Sequence, residues 1–222
     1  MSWFQLDPPS LAARAQGTRP PSLVASLMRG IVGFTVVSVA GFLPWGVFGK
    51  WFHTHGGELG MYITCAVLFI VLTGLLLHGL IMGKGSLSRF YKLFIIAFTA
   101  YSAAWIAGWM ILRGNPGSIA GLLAGTVVMG AMFAAAFDAW GEVLKVIAAL
   151  FIFNAIGYFV GGLFEGPMMH APELMIAGVK LDKPTQMMVA KMQWALCYGI
   201  GFGAGLGIAF YLCQKRARAL LA

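Results

Sequence analysis

The sequence is short of charged residues, and of acidic residues above all. Only 10% of its 222 residues are charged, with seven Asp and Glu against 15 Lys and Arg, while 60% are hydrophobic. Soluble domains average about 25% charged residues. This deficit, with a mean hydropathy of +0.85, excludes an ordinary soluble fold and predicts an integral membrane protein whose main partner is the lipid bilayer. We attribute the net charge of +8 to cytoplasmic loops and not to nucleic-acid binding.

Cysteines and catalytic motifs are also scarce. The three cysteines, Cys65, Cys197 and Cys213, are too few for a disulfide framework, although a Cys65–Cys197 bond stays an open alternative. The sequence contains no P-loop, HExxH or GxSxG motif and no paired carboxylates within an apolar segment. We therefore expect no enzyme activity and no cofactor.

The sequence does contain apolar segments of about 20 residues, the length that crosses a bilayer as a helix. There are six, at residues 28–48, 61–82, 93–112, 119–140, 143–164 and 192–213. They predict an all-α polytopic membrane protein with six transmembrane helices in a tightly packed, Gly/Ala-rich bundle.

The remaining segments divide the chain simply. We expect a cytoplasmic N-terminal segment without a signal peptide over residues 1–27, a transmembrane domain over 28–214 and a basic cytoplasmic tail over 215–222. The longest loop, residues 165–191, contains the stretch APELMIAG, which predicts a short interfacial helix that ends at Gly178.

Basic residues predict the orientation. With the N-terminus inside, ten Lys and Arg fall on the inner side and five on the outer side. The excess of basic residues in cytoplasmic loops predicts a multi-pass plasma (inner) membrane protein with both termini in the cytoplasm.

The sixth apolar segment carries five glycines at alternate positions. Because a helix turns by 100° per residue, Gly199, Gly203 and Gly207 form one stripe and Gly201 and Gly205 form another on nearly the opposite face. Small residues let helices approach closely in lipid. We expect this helix to lie between two neighbours, within one chain or between copies in a homo-oligomer. Similar packing glycines in the fourth and fifth segments are Gly121, Gly125, Gly157 and Gly161. Alternatively, one smooth face lines a pathway or slides during gating.

Polar residues inside the apolar segments supply the first functional hypothesis, a channel or transporter for a small, weakly charged solute. The candidate lining residues are Thr73, His78, Thr99, Tyr101, Ser102, Asn154 and Tyr158. Each has a structural alternative, such as a hydrogen bond between helices. His78 could bind a haem or chlorophyll metal or carry a proton, but a bis-histidine haem needs a second buried histidine and the other five segments contain none, so a structural or interfacial role is favoured.

Two further hypotheses remain. The same features suit a structural or accessory subunit of a larger membrane protein complex. In that case the interior polar groups should pair with each other, whereas a transporter should open a polar cavity at Tyr101, Asn154 or Tyr158.

The third hypothesis is copper handling on the outer face, because imidazole and thioether ligands suit copper(I). Its candidate ligands are His53, His55, Met168, Met169 and His170. The alternative there is soft methionine packing beside ordinary loop histidines.

Overall fold

The computed structural model describes residues 3–221 and is almost entirely helical. Six helices in this part of the chain are long and apolar enough to cross a membrane, which confirms the prediction of six such segments. They are α2 (Leu23–Gly46), α4 (Gly57–Leu77), α5 (Ser86–Leu112), α6 (Gly114–Phe137), α7 (Val143–His170) and α8 (Lys183–Cys213). Short 3₁₀ turns at His78–Leu80 and Trp140–Glu142 follow α4 and precede α7.

Three short helices and one hairpin complete the described structure. The helices are α1 (Pro8–Ala15), α3 (Gly49–His55) and α9 (Lys215–Ala219), and the strands are β1 (Met175–Ile176) and β2 (Val179–Lys180). Helices α1 and α9 contact each other, so the first and last helices of the described chain lie at one end of the bundle. We call this the terminal end, and we call the opposite end, which carries β1 and β2, the hairpin end.

The six long helices form a ring in the order α4, α2, α8, α7, α6 and α5, and α5 returns to α4. Aromatic side chains fill its interior. On α8, Trp194 stacks on Tyr198 and Tyr198 on Phe202, with centroids 5.2 and 5.7 Å apart. Phe210 on the same face meets Phe133 of α6 at 4.8 Å. Packed rings therefore occupy the interior from the hairpin end to the terminal end.

Helix α8 lies between α2 and α7. A Cβ added at Gly199 would lie 2.7 Å from the Cα of Thr35 on α2, and one added at Gly201 would lie 2.7 Å from the Cα of Gly157 on α7. These separations are shorter than real Cβ contacts, so only glycine fits on either side. On α6, Gly117, Gly121 and Gly125 face α5 instead, and a Cβ at Gly125 would lie 2.7 Å from the Tyr101 ring.

The loop between α7 and α8 forms a β-hairpin, so the prediction of an interfacial helix there is wrong. Strands β1 and β2 pair antiparallel, and Ala177 and Gly178 between them both have positive φ, at 50° and 81°. A two-residue loop with both φ values positive matches the right-handed twist of the flanking strands and closes a hairpin. Leu181 extends the pairing by donating its amide to the Leu174 carbonyl, 2.9 Å away.

The N-terminal segment folds against the terminal end. Leu6, Leu11 and Ala15 are almost completely buried and join the core, and Asp7 caps α1 by accepting a hydrogen bond from the Ser10 amide. The amide of Lys84 donates to the carbonyl of Arg14, 3.2 Å away, which ties α1 to the loop between α4 and α5.

Candidate functional site

The most buried polar contact joins Asn154 on α7 to Tyr101 on α5. The Asn154 amide nitrogen donates to the Tyr101 hydroxyl oxygen over 2.8 Å, and the two residues are 0% and 4% exposed. The Tyr101 ring stacks against Phe202 with centroids 5.2 Å apart. The Asn154 carbonyl oxygen is buried and has no hydrogen-bond partner among the described residues.

A second pair lies one helical turn further along α7. The hydroxyl groups of Tyr158 and Ser118 of α6 are 3.1 Å apart, and the Tyr158 ring meets Trp194 edge-on at 5.5 Å. The structure thus brings three of the candidate lining residues, Tyr101, Asn154 and Tyr158, into one interior region, where Asn154 bonds to Tyr101 and Tyr158 bonds to Ser118.

The other four candidate lining residues lie apart from this region. Thr73 donates its hydroxyl to the carbonyl of Phe69 on its own helix. His78 lies at the terminal end, with Nδ1 2.9 Å from the hydroxyl of Ser86. Thr99 is exposed on the outside of α5 and Ser102 is half-buried. The seven candidates therefore do not line a single path.

Several buried polar residues were not predicted, and Ser118, Arg89 and Gln214 are three of them. Ser118 precedes the predicted start of the fourth segment, but α6 begins earlier, at Gly114. Arg89 is 4% exposed and Gln214 is 1% exposed, although both lie near the ends of apolar segments, where solvated side chains are expected. Gln214 donates to the Leu80 carbonyl and accepts from the Met82 amide. For Gln214, the only available signal was its position as a polar residue directly after an apolar segment.

Two surface grooves lie outside the ring. One, of about 570 Å³, runs along α5 at the terminal end. The other, of about 440 Å³, lies beneath α3 at the hairpin end. Neither groove is lined by any of the seven candidate lining residues.

The copper candidates occupy two elements at the hairpin end. His53 and His55 are exposed on α3, where the His55 ring stacks on Trp51. Met168, Met169 and His170 form the last turn of α7, and His170 Nδ1 lies 2.8 Å from the Gly166 carbonyl oxygen. Within residues 3–221, no group of three or more His, Cys, Asp or Glu side chains is placed to share a metal ion. Copper binding stays a prediction.

The three cysteines are free thiols in this structure.

No family model, curated protein or solved structure matches this chain.

Proposed function

We propose that this protein is a structural or accessory subunit of a larger membrane protein assembly. The observation that carries the proposal is the pairing of interior polar groups, Asn154 with Tyr101 and Tyr158 with Ser118, inside a ring filled by aromatic side chains. The Asn154 amide nitrogen and the hydroxyl groups that form these bonds are not free to contact a solute. Bonds of this kind between helices are a common way to hold a membrane bundle together.

The outer surface supports the same proposal. Large apolar side chains are exposed on all sides of the ring, for example Ile106 on α5 and Ile156 on α7. Such a surface contacts either lipid or the apolar helices of a partner. Within a bilayer, close packing between helices drives the association with a partner. The partner is another membrane subunit or a second copy of the chain.

The charge distribution supports a location in the plasma (inner) membrane with both termini in the cytoplasm. The terminal end carries ten Lys and Arg against three Asp and Glu, whereas the hairpin end carries five against four. An excess of basic residues is typical of cytoplasmic ends.

Photo-crosslinking in the native membrane tests the subunit proposal. A photoreactive residue is placed at outward positions such as Ile106 and Ile156, and at the buried position Phe202 as a control. A subunit should crosslink to a defined protein from one face of the ring and not from Phe202. Crosslinks to lipid alone from every outward position would refute the proposal.

Transport of a small, weakly charged solute is the second candidate, and one observation favours it. The Asn154 carbonyl oxygen is an unused acceptor at the centre of the ring, where a small neutral donor would find a partner. Liposomes that contain the purified protein should then take up such a solute faster than empty liposomes, and Asn154→Leu should remove the difference. Equal uptake by both across a broad panel of solutes would count against transport.

A further inference from the structure

An apolar groove runs along the outside of α5 at the terminal end. Leu87, Ile95 and Ile96 line it, Tyr91 and Trp3 flank it, and its volume is about 570 Å³. From Leu87 to Ile96 a helix rises about 14 Å. The groove therefore begins near the end of the bundle and descends alongside a lipid-facing helix, in the direction of a lipid acyl chain.

A cation lines this groove. The Lys92 ammonium is 5.6 Å from the centroid of the Trp3 ring, and both residues line the groove together with Ser88. Among the described residues, no carboxylate forms an ion pair with Lys92. Of the three terminal-end carboxylates, Glu142 and Asp138 pair with Lys145, Lys215 and Arg216, and Asp7 caps α1 by accepting from the Ser10 amide.

The positions of these side chains match the layers of a membrane. A lysine stem lies along apolar surface while its ammonium extends towards the headgroups, and tryptophan favours the same boundary. The headgroup above this groove therefore meets a cation that forms no ion pair within the described residues, while the acyl chain meets mainly apolar side chains.

We propose that this groove binds one anionic phospholipid. Its acyl chain lies along Leu87, Ile95 and Ile96, and its phosphate contacts the Lys92 ammonium and the Ser88 hydroxyl. A zwitterionic lipid with the same chains fits the apolar part equally well, but it has no net negative charge to complement Lys92 and the basic terminal end.

Native mass spectrometry tests this proposal. Protein in mild detergent is mixed with phosphatidylglycerol or with phosphatidylcholine of identical chains, and the lipid-bound fraction is measured. Wild type should retain phosphatidylglycerol preferentially, and Lys92→Gln should lower that retention about fivefold, the factor that one surface cation supplies at a charged membrane. The matched control is Lys84→Gln, which removes an exposed cation at the same end but outside the groove. It should bind like wild type.

A second measurement locates the lipid. Phosphatidylglycerol brominated near its headgroup should quench a component of the tryptophan fluorescence that is missing in Trp3→Phe. The proposal is overturned if wild type retains both lipids equally, if the two lysine variants behave alike, or if Trp3→Phe is quenched as strongly as wild type.

Discussion

The side-chain amide of Asn154 on α7 donates to the hydroxyl oxygen of Tyr101 on α5 over 2.8 Å. Helices α5 and α7 are separated in the ring by α6, which packs against both. The hydrogen bond therefore crosses the interior behind α6 and joins two helices that are not ring neighbours.

Removal of the Tyr101 hydroxyl should destabilise the bundle measurably. Tyr101→Phe keeps the stacking on Phe202 but leaves the Asn154 amide without its acceptor. We expect the free energy of unfolding in mixed micelles to fall by about 1 kcal/mol, within the range measured for hydrogen bonds between membrane helices. The matched control is Tyr62→Phe, because Tyr62 is exposed on α4. It should change the free energy little.

A double-mutant cycle separates this bond from other effects of the substitutions. If Asn154→Leu and Tyr101→Phe act through one hydrogen bond, the double variant should lose less stability than the two single variants lose together. Strictly additive losses would show that the bond contributes nothing.

Enlargement of Gly203 should be more damaging than loss of the hydrogen bond. A Cβ there would meet the carbonyl oxygen of Gly30 on α2, and backbone atoms cannot move aside as a flexible side chain can. Gly203→Ala should lower the free energy of unfolding by about 1–3 kcal/mol, the usual cost of overpacking.

Gly162→Ala on α7 is the matched control for Gly203→Ala. A Cβ at Gly162 would have open space within 4 Å, and alanine is the better helix former by about 1 kcal/mol. The control should therefore keep or raise stability. If the two variants lowered the unfolding free energy equally, close packing would not explain why position 203 is a glycine.

Features that depend on local helix geometry could be predicted from the sequence. Six apolar segments of bilayer length predict six helices whatever their arrangement, and a 100° turn per residue separates the α8 glycines into two stripes. In the structure one stripe faces α2 and the other faces α7. The order of helices in the ring was not predictable, because small-residue faces on α6 and α8 look alike. The face on α6 packs on α5.

Features that depend on long-range contacts were missed. Leu6 and Leu11 are buried only because the segment that carries them folds back onto α9 and the loop after α4, and nothing local indicates that docking site. The hairpin was missed for a different reason. Ala177 is a good helix former, and nothing in the sequence indicates the positive φ that it adopts between the paired strands.

The orientation can be tested with fusions at both ends of the chain. Because the terminal end has the larger basic excess, we expect a C-terminal fluorescent protein that folds only in the cytoplasm to be bright, and an alkaline phosphatase fusion at the same site to be inactive. Fusions in the hairpin near Gly178 should give the opposite result. An active phosphatase at either terminus would contradict the predicted topology.

Arg89 should keep the loop between α4 and α5 in its folded conformation. Its guanidinium donates to the carbonyls of Met82, Gly83 and Lys84, with the shortest bond 2.8 Å to Lys84. Arg89→Met leaves these carbonyls without a donor, and hydrogen bonds to a charged group contribute about 1.5–3 kcal/mol. The exposed Lys84 is a trypsin site, so cleavage after it should become about tenfold faster or more, because local opening exposes the backbone to the protease.

Two further variants make the Arg89 prediction specific. Arg89→Lys keeps the charge but lacks the planar set of donors, so its cleavage rate should fall between wild type and Arg89→Met. Lys145→Met removes another terminal-end cation whose only ion pair in the described structure is an exposed one with Glu142. Because exposed pairs contribute little, it should leave cleavage after Lys84 unchanged. If Arg89→Met were cut there no faster than Lys145→Met, the loop would be held by the Gln214 and Arg14 contacts and not by Arg89.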